Sequence, residues 1–527
     1  MPGEVENYDR VAGVGMIDWS RALDIQLAAK NVRTDIFGDW YNDPWDWPEH
    51  EWLLANDGRK HVLDALRSTE NRRGLTLDVS KENFSVRPAY VFDPVDRLVF
   101  QALVDRVSIS LVGEMPKWSY SWRLARKDPK AGHYVDMGAE WRDYRHRLNT
   151  LSAFFDVAFT TDIVSFFPSI QIDRLINCMY DMAKKSAVTD RLAQLLDGWA
   201  HISDRGGLPM RANASSILAS MYLRPLDDVL SYHGKAAAKG SLSKYLFSNG
   251  TAARWVDDIW LFGRSLVDMR VAQLDAQEVM RSLGLNMNLA KTDVLEGEEM
   301  MAKARQLEHS AVDTALLAYE PSFEPLDDLI DRLIANPEQA NHTSVRFATV
   351  RMRKYLHYDR IDELVEVAPR MPHASQALAR VFRESGKASE LGDWYAEYLN
   401  SKWAKMELAA ANLAMIFPAT APPPTVVQEA LETKLVSNCS LPMLAIGGYR
   451  LANWQPDRAR ALFREVARRA DHPLQRRALA LAALTAGESR AWITALLSEF
   501  RENAVTLEFL KGRNFAHIKA RSEFAGY

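Results

Sequence analysis

The sequence predicts an α+β body with an antiparallel sheet, followed by an all-α helical-repeat region. Three observations carry this reading. Two apolar, β-branched and aromatic runs, Ala158–Ile170 and Arg254–Phe262, read as strands, the second folded into a hairpin whose tip is Asp257-Asp258. From about residue 305 the strand signals vanish, and helical stripes separated by Pro or Gly succeed one another. Residues 1 to about 80 read as mostly helical around a Trp-rich turn, Asp39 to Pro48. The expected division is therefore an N-terminal helical extension over 1–80, an α+β body over 81–304 and an α-helical repeat domain over 305–527. A length of 527 residues agrees with about three such units.

Composition narrows the class. With 47% apolar and 25% charged residues the chain reads as an ordinary globular protein. No run of 18 apolar residues is present, so no membrane partner is expected. Met1–Glu6 is acidic and lacks an apolar signal core, and the two cysteines, Cys178 and Cys439, far apart in sequence, do not suggest a disulfide framework or a zinc site. These features give a cytoplasmic expectation. A net charge of −4 argues against a broad basic surface. It leaves room for a local groove built from Arg123, Arg126, Lys127 and Lys130, then Arg142, Arg145, His146 and Arg147.

Along the chain, the tryptophans of the first 80 residues are expected to pack the extension onto the body. The body itself is defined by its acids. Asp257 and Asp258 lie between apolar stretches, where ionised oxygens cost several kcal/mol unless a counter-charge offsets them. A divalent metal ion is the usual partner. Two-metal phosphoryl transfer holds its ions about 3.5–4 Å apart, and hard Mg2+ takes carboxylate oxygens, water and phosphate. A second strand carrying an acid is then required. Asp162 supplies it, 95 residues before Asp257, which leaves room for a strand, two helices and a return strand. Asp162, Asp257 and Asp258, with the backbone carbonyl of Ile163, form the candidate ligand set. Phe166 and Phe167 are expected to alternate faces along the strand, one of them in the core.

The segments around Asp162 and Asp257-Asp258 resemble motifs A and C of reverse transcriptases. Gly207-Leu208-Pro209-Met210-Arg211, followed by Ser215 and Leu218-Ala219-Ser220-Met221-Tyr222-Leu223, resembles motif B. Gly284-Leu285-Asn286-Met287-Asn288-Leu289-Ala290-Lys291-Thr292 resembles motif D. Arg87-Pro88 with Asp96-Arg97-Leu98-Val99-Phe100-Gln101-Ala102-Leu103, and Ser119-Tyr120-Ser121-Trp122-Arg123, resemble the fingers elements Arg-Pro…Asp-Arg-x-x-x-Gln-x-Leu and Ser-Tyr-Gly-Phe-Arg. Six fragments in the family's order span about two fifths of the chain. The sequence departs from the family at Trp255, where Tyr or Phe is usual, and at Met210-Arg211, where Gln-Gly is usual.

The resemblance implies a right-hand polymerase with fingers and palm. It also implies a Mg2+-dependent nucleotidyltransferase that uses two ions, or Mn2+ in their place. In it Asp162 and Asp257 ligate metal and Asp258 supports them. Arg87 clamps the triphosphate, Phe167 gates the sugar toward dNTPs, Gly207 and Ser215 shape the nucleotide pocket, and Lys291 assists pyrophosphate departure. Arg97 is expected to pair with an acid.

In the last region Leu326, Leu329, Ile330, Leu333 and Ile334 form a helical stripe. Helices are also expected over Tyr355–Val367, Ala377–Phe382, Trp403–Ile416, Val426–Leu435, Ala459–Ala470, Leu474–Leu484 and Trp492–Phe500, with Pro418–Pro424 as a loop. A HEAT-like array behind such a palm resembles the abortive-infection and related defence-associated bacterial reverse transcriptases. That resemblance implies antiphage defence by template-independent, protein-primed DNA synthesis, a covalently attached DNA product and a homo-oligomer. The alternatives are a templated enzyme copying a bound noncoding RNA and an idle palm that serves as a scaffold for partner proteins.

Overall fold

The computed structural model describes residues 17–36, 39–125, 127–202, 207–239 and 247–520. Met1–Glu6 and Arg126 lie outside the described residues. The fold is mixed α+β. Its strands are β1 (Leu75–Ser80), β2 (Val86–Val91), β3 (Ser119–Tyr120), β4 (Val157–Thr161), β5 (Ala252–Trp255), β6 (Asp258–Gly263) and β7 (Asp293–Glu296). The chain divides into two compact units. The first comprises Met1–Asp35, Leu53–Asn71 and Val95–Arg305, and the second Ile36–Trp52, Arg72–Pro94 and Gln306–Tyr527.

The first unit is built on a sheet of order β3-β5-β6-β4-β7. β5, β6, β4 and β7 are antiparallel neighbours, while the two-residue β3 runs parallel to β5. The helices used below are α1 (Ile25–Ile36), α2 (Pro94–Val112), α3 (Met137–Phe154), α4 (Asn213–Tyr222), α5 (Arg224–Ala237) and α6 (Leu266–Ser282). Alternation along the strands sends Ala158, Trp260, Phe262 and Leu295 to one core with Tyr144, Leu148 and Leu151 of α3. The intervening Phe159 and Leu261, paired across the strands, are buried, as is the α6 face formed by Met269, Ala272, Ala276 and Met280. Each such large side chain contributes about 1.5–3 kcal/mol by leaving water.

The strand expected over Ala158–Ile170 is shorter than its composition implies. β4 ends at Thr161, Ser165 turns the backbone at φ 45°, and Phe166–Ser169 forms one helical turn. Pro168 has no N–H for a sheet ladder, so the β-rich composition is overridden there. Phe166 is buried and Phe167 half-buried, but they sit on this turn rather than on alternate faces of a strand.

A buried polar network ties three helices together. Asp105 of α2 accepts hydrogen bonds from Gln101 Nε2 at 2.7 Å, the Tyr134 hydroxyl at 2.8 Å and Asn31 Nδ2 of α1 at 2.8 Å. The Gln101 amide oxygen accepts from the Ala214 backbone N–H of α4, and Asp35 accepts from that of Asn213. Arg97 Nη2 lies 3.8 Å from Asp35, which is the acid partner anticipated for it.

The second unit is helical apart from the β1–β2 hairpin, among the described residues. The stripe of Leu326, Leu329, Ile330 and Leu333 is the buried face of helix Glu324–Ala335. The helix expected over Tyr355–Val367 is instead the end of His342–Tyr355, a break at Leu356 with φ 55°, and Ile361–Val367. Trp403–Ile416 likewise splits into a 3-10 turn, a short helix and a second 3-10 turn.

The Trp-rich segment was expected to pack onto the body. It lies in this second unit, where Trp40 packs against the cluster containing Ala89 and against Arg87 of β2, residues within the 81–304 body. Arg477 reaches Asp43 at 2.9 Å and Glu49 at 2.7 Å, with its guanidinium 4.2 Å from the Trp47 ring centre, and Trp45 lies 5.8 Å from Tyr449. A buried ion triad holds it there. Residues 75–80, expected to be helical, form β1 and pair with β2, and Val79 and Ala89 pack with Leu408.

Burial pushes Asp105 up to about 6, against the donors Tyr134, Asn31 and Gln101. A raised carboxyl stabilises the fold fully below its unfolded value, and that contribution is lost as pH rises through about 6. Urea unfolding should therefore show stability falling by up to about 3 kcal/mol between pH 4 and 7 from this group. Asp105→Asn should remove that component.

Candidate active site at the tip of the sheet

Strand register brings the acids together. β4 and β6 pair from Val157↔Gly263 to Thr161↔Ile259. One step further sets Asp162 opposite Asp258. Trp255 pairs with Asp258, so β5 and β6 are joined by the two-residue turn Val256-Asp257. Asp162 leaves only 16% of its side chain exposed. Burial, with the facing charge of Asp162 next, pushes Asp257 up to about 7, and a proton can bridge the two carboxyls. Burial also raises Asp258. The Tyr144 hydroxyl opposes that by donating to its Oδ2 at 2.7 Å, while the Asp162 charge adds to it.

The loop after α6 closes over Asp162. Ile163 forms an isolated bridge with Met287, and its bonds run from Val164 N–H to the Asn286 carbonyl and from Asn288 N–H to the Asp162 carbonyl. The flanking residues make these bonds, so the bridge does not use the Ile163 carbonyl. Lys291 Nζ lies 2.6 Å from Asp162 Oδ2. Burial alone would lower its ammonium; Asp162, Asp257 and Asp258 outweigh that and raise it.

Other predicted residues take different places. Gly207 turns with φ +94°, and a Cβ there would lie 2.4 Å from the Phe167 carbonyl oxygen. Leu208 N–H donates to that same oxygen at 2.9 Å. The motif B turn and the Phe167 turn are thereby locked together, and only glycine fits. Ser215 of α4 is fully buried, and its hydroxyl has no hydrogen-bond partner. It presents no surface to a nucleotide. Arg87 is on β2 in the second unit, its guanidinium 5.3 Å from the Trp40 ring centre.

Two residues of the expected basic groove are spent on structure, while Lys127 and Lys130 stay exposed. Arg123 is buried against Glu140 and the Lys117 carbonyl, 4.4 Å from the Tyr120 ring centre. Arg147 donates to the Ala252 and Gly250 carbonyls at 2.7 Å each. Arg142 and His146 are exposed, and Arg145 is half-buried.

Sequence reasoning missed the residues that hold the hairpin. Val256 adopts φ 55°, a left-handed conformation that costs a β-branched residue about 1–3 kcal/mol. Arg254 fixes it. Its Nη1 donates to the Val256 carbonyl at 2.8 Å, and its Nε and Nη2 form a fork with Asp227 of α5 at 2.7 Å each. Arg254 is 0% and Asp227 2% exposed at the side chain. The legible signal was a lone arginine inside an apolar strand, which needs a buried acid. Nothing in the sequence pointed to Tyr144.

Among the described residues, no group of three or more His, Cys, Asp or Glu is arranged as a metal-ligand set. Asp258 is turned to Tyr144 and Asp162 to Lys291. The donor set still fits a hard divalent cation. Two carboxyls repel one another where a cation would relieve them, and the Ile163 carbonyl is not used by its bridge. No protein-family profile matches the chain, and comparison with curated proteins finds no match.

Arg254→Met should cost about 3–5 kcal/mol in urea unfolding by stranding Asp227 in the core. Arg254→Met with Asp227→Leu should recover most of that loss. An equal loss in the double variant would show that the pair does not act through its buried charge.

Proposed function

We propose that the first unit is the catalytic part of a Mg2+-dependent DNA polymerase of reverse-transcriptase type. The observation that carries this reading is the meeting of Asp162, Asp257 and Asp258, from separate strands, at one end of the sheet. Paired divalent ions would supply charge neutralisation at a transferring phosphate. Asp162 and Asp257 would hold them, with the Ile163 carbonyl. Asp258, held by Tyr144, supports the hairpin position of Asp257. Lys291, already against Asp162, is placed to meet negative charge on departing pyrophosphate. Phe167, half-buried beside the Gly207 turn, would lie under the sugar of a dNTP. The right-hand arrangement of fingers and palm belongs to the same proposal.

We extend the proposal to an antiphage role through template-independent, protein-primed synthesis, with the DNA product attached to a homo-oligomer in the cytoplasm. It rests on motif order and on the helical second unit, read as a HEAT-like array. Arg211 favours untemplated synthesis over copying of a bound RNA. It keeps the left-handed backbone of motif B, with φ 56°, while setting a long cationic side chain where the family has glycine.

Incubation with each labelled dNTP and Mg2+ should give incorporation that chelation abolishes. Asp257→Ala with Asp258→Ala should reduce it at least about 1,000-fold, since charge neutralisation dominates phosphoryl transfer. Incorporation that survives the double variant removes the site. Phe167→Ala should raise ribonucleotide use about 10-fold or more relative to deoxynucleotides; an unchanged ratio removes the gate.

A further inference from the structure

Beside the three carboxylates, α3 presents a ring that the fold leaves uncovered. Trp141 is 42% exposed, whereas Trp45, Trp47, Trp118 and Trp260 are buried. Leaving so large an apolar surface in water forgoes burial energy that those four rings collect; Trp403, 41% exposed, lies in the second unit and stacks on Phe84, whereas Trp141 lies beside the acids. Trp141 is nevertheless fixed in orientation. It stands edge-on to Trp255 with centroids 4.9 Å apart, and tilted on Tyr144 at 5.5 Å. Trp255 pairs in register with Asp258, and Tyr144 donates to the same carboxyl. The exposed ring is thus one side chain removed from the acids. Arg145 follows Trp141 by one helical turn on the same face of α3 and feels the charge of Asp258.

We infer that this face of α3 holds the end of a single-stranded polynucleotide, one base stacked on Trp141 and an adjoining phosphate met by Arg145. The inference rests on the polymerase reading, since it supplies the strand whose end is extended. The chemistry is specific in kind. A flat aromatic surface accepts any base, and a guanidinium fork matches phosphate oxygens. In a chain of net charge −4, with three acids alongside, a phosphate needs such a local cation to approach. A base on this ring would sit next to the Val256-Asp257 turn, with its sugar hydroxyl toward the acids. Arg123 and Arg147 are held by Glu140 and by backbone carbonyls, which leaves Arg145, with the exposed Arg142 and His146, as the cations α3 offers a phosphate.

The test uses the full-length protein and a dye-labelled oligothymidylate of 12 nucleotides, followed by anisotropy in EDTA so that no turnover occurs. Trp141→Ala should weaken binding about 5- to 150-fold, the range of one base-stacking contact, and Trp141→Phe less. An abasic oligomer should bind the parent protein as weakly as the oligothymidylate binds Trp141→Ala. Arg145→Gln should lower the slope of log affinity against log salt by about 0.7, one phosphate's share for a single strand. Circular dichroism melts of each variant establish that the fold is intact. Equal affinity of Trp141→Ala and parent, equal binding of the abasic oligomer, or no binding at all overturns the inference. Those results leave metal-dependent dNTP incorporation untouched. Conversely, Trp141-dependent binding without incorporation would sink the polymerase reading and keep this site.

Discussion

Like charge gathered at one end of a sheet is the constraint around which the first unit is organised. Burial, joined by the charge of Asp162, pushes the Asp257 carboxyl up to about 7, and Asp258 sits beside both. A fold does not hold three acids this way unless other groups fix them. Here Lys291 lies against Asp162, Tyr144 donates to Asp258, and Arg254 locks the turn that carries Asp257. Each acts on a different carboxylate or on the backbone beside it. Removing any one leaves a buried charge or a strained turn without support, and such losses are larger than those of surface contacts.

Backbone strain is also present in these segments. Ser121, Ser165, Arg211 and Val256 all have positive φ and belong to the stretches matched to fingers, motif A, motif B and motif C. Ser121 and Arg211 stand where the family pattern has glycine. The left-handed turn is kept although the residue that makes it easy has been lost, at about 1–2 kcal/mol each. The surrounding contacts, such as the closure of the Gly207 turn on Phe167, over-determine these conformations. The arginines behave alike. Arg123, Arg147 and Arg254 spend their donors on carbonyls and buried acids, so two members of the run that reads as a basic groove are scaffold, while Lys127, Lys130, Arg142 and His146 remain exposed.

How much was legible depended on how local the signal was. The tip of the hairpin was readable because β-branched and aromatic residues flank two acids without interruption. The helical stripe from Leu326 was readable because its period is carried entirely by one element. The length of β4 was not, since one proline and one left-handed serine end a run whose composition continues as strand. What anchors the Trp-rich segment was not legible, because burial of Asp43 and Glu49 depends on Arg477, more than 400 residues away. Ser215 was matched to a pocket by motif position, yet it lies wholly inside the unit.

The sequence by itself determined that the chain is α+β and then helical, and that acids end two separate apolar segments, because alternation and helical period are properties of neighbouring residues. Only the tertiary structure decided which donor meets which acid. It set Tyr144 on Asp258, Lys291 on Asp162 and Arg254 on Asp227, pairs separated by 114, 129 and 27 positions. Such pairings follow from strand register and helix placement, which fix distances of a few ångströms between groups that no local pattern connects.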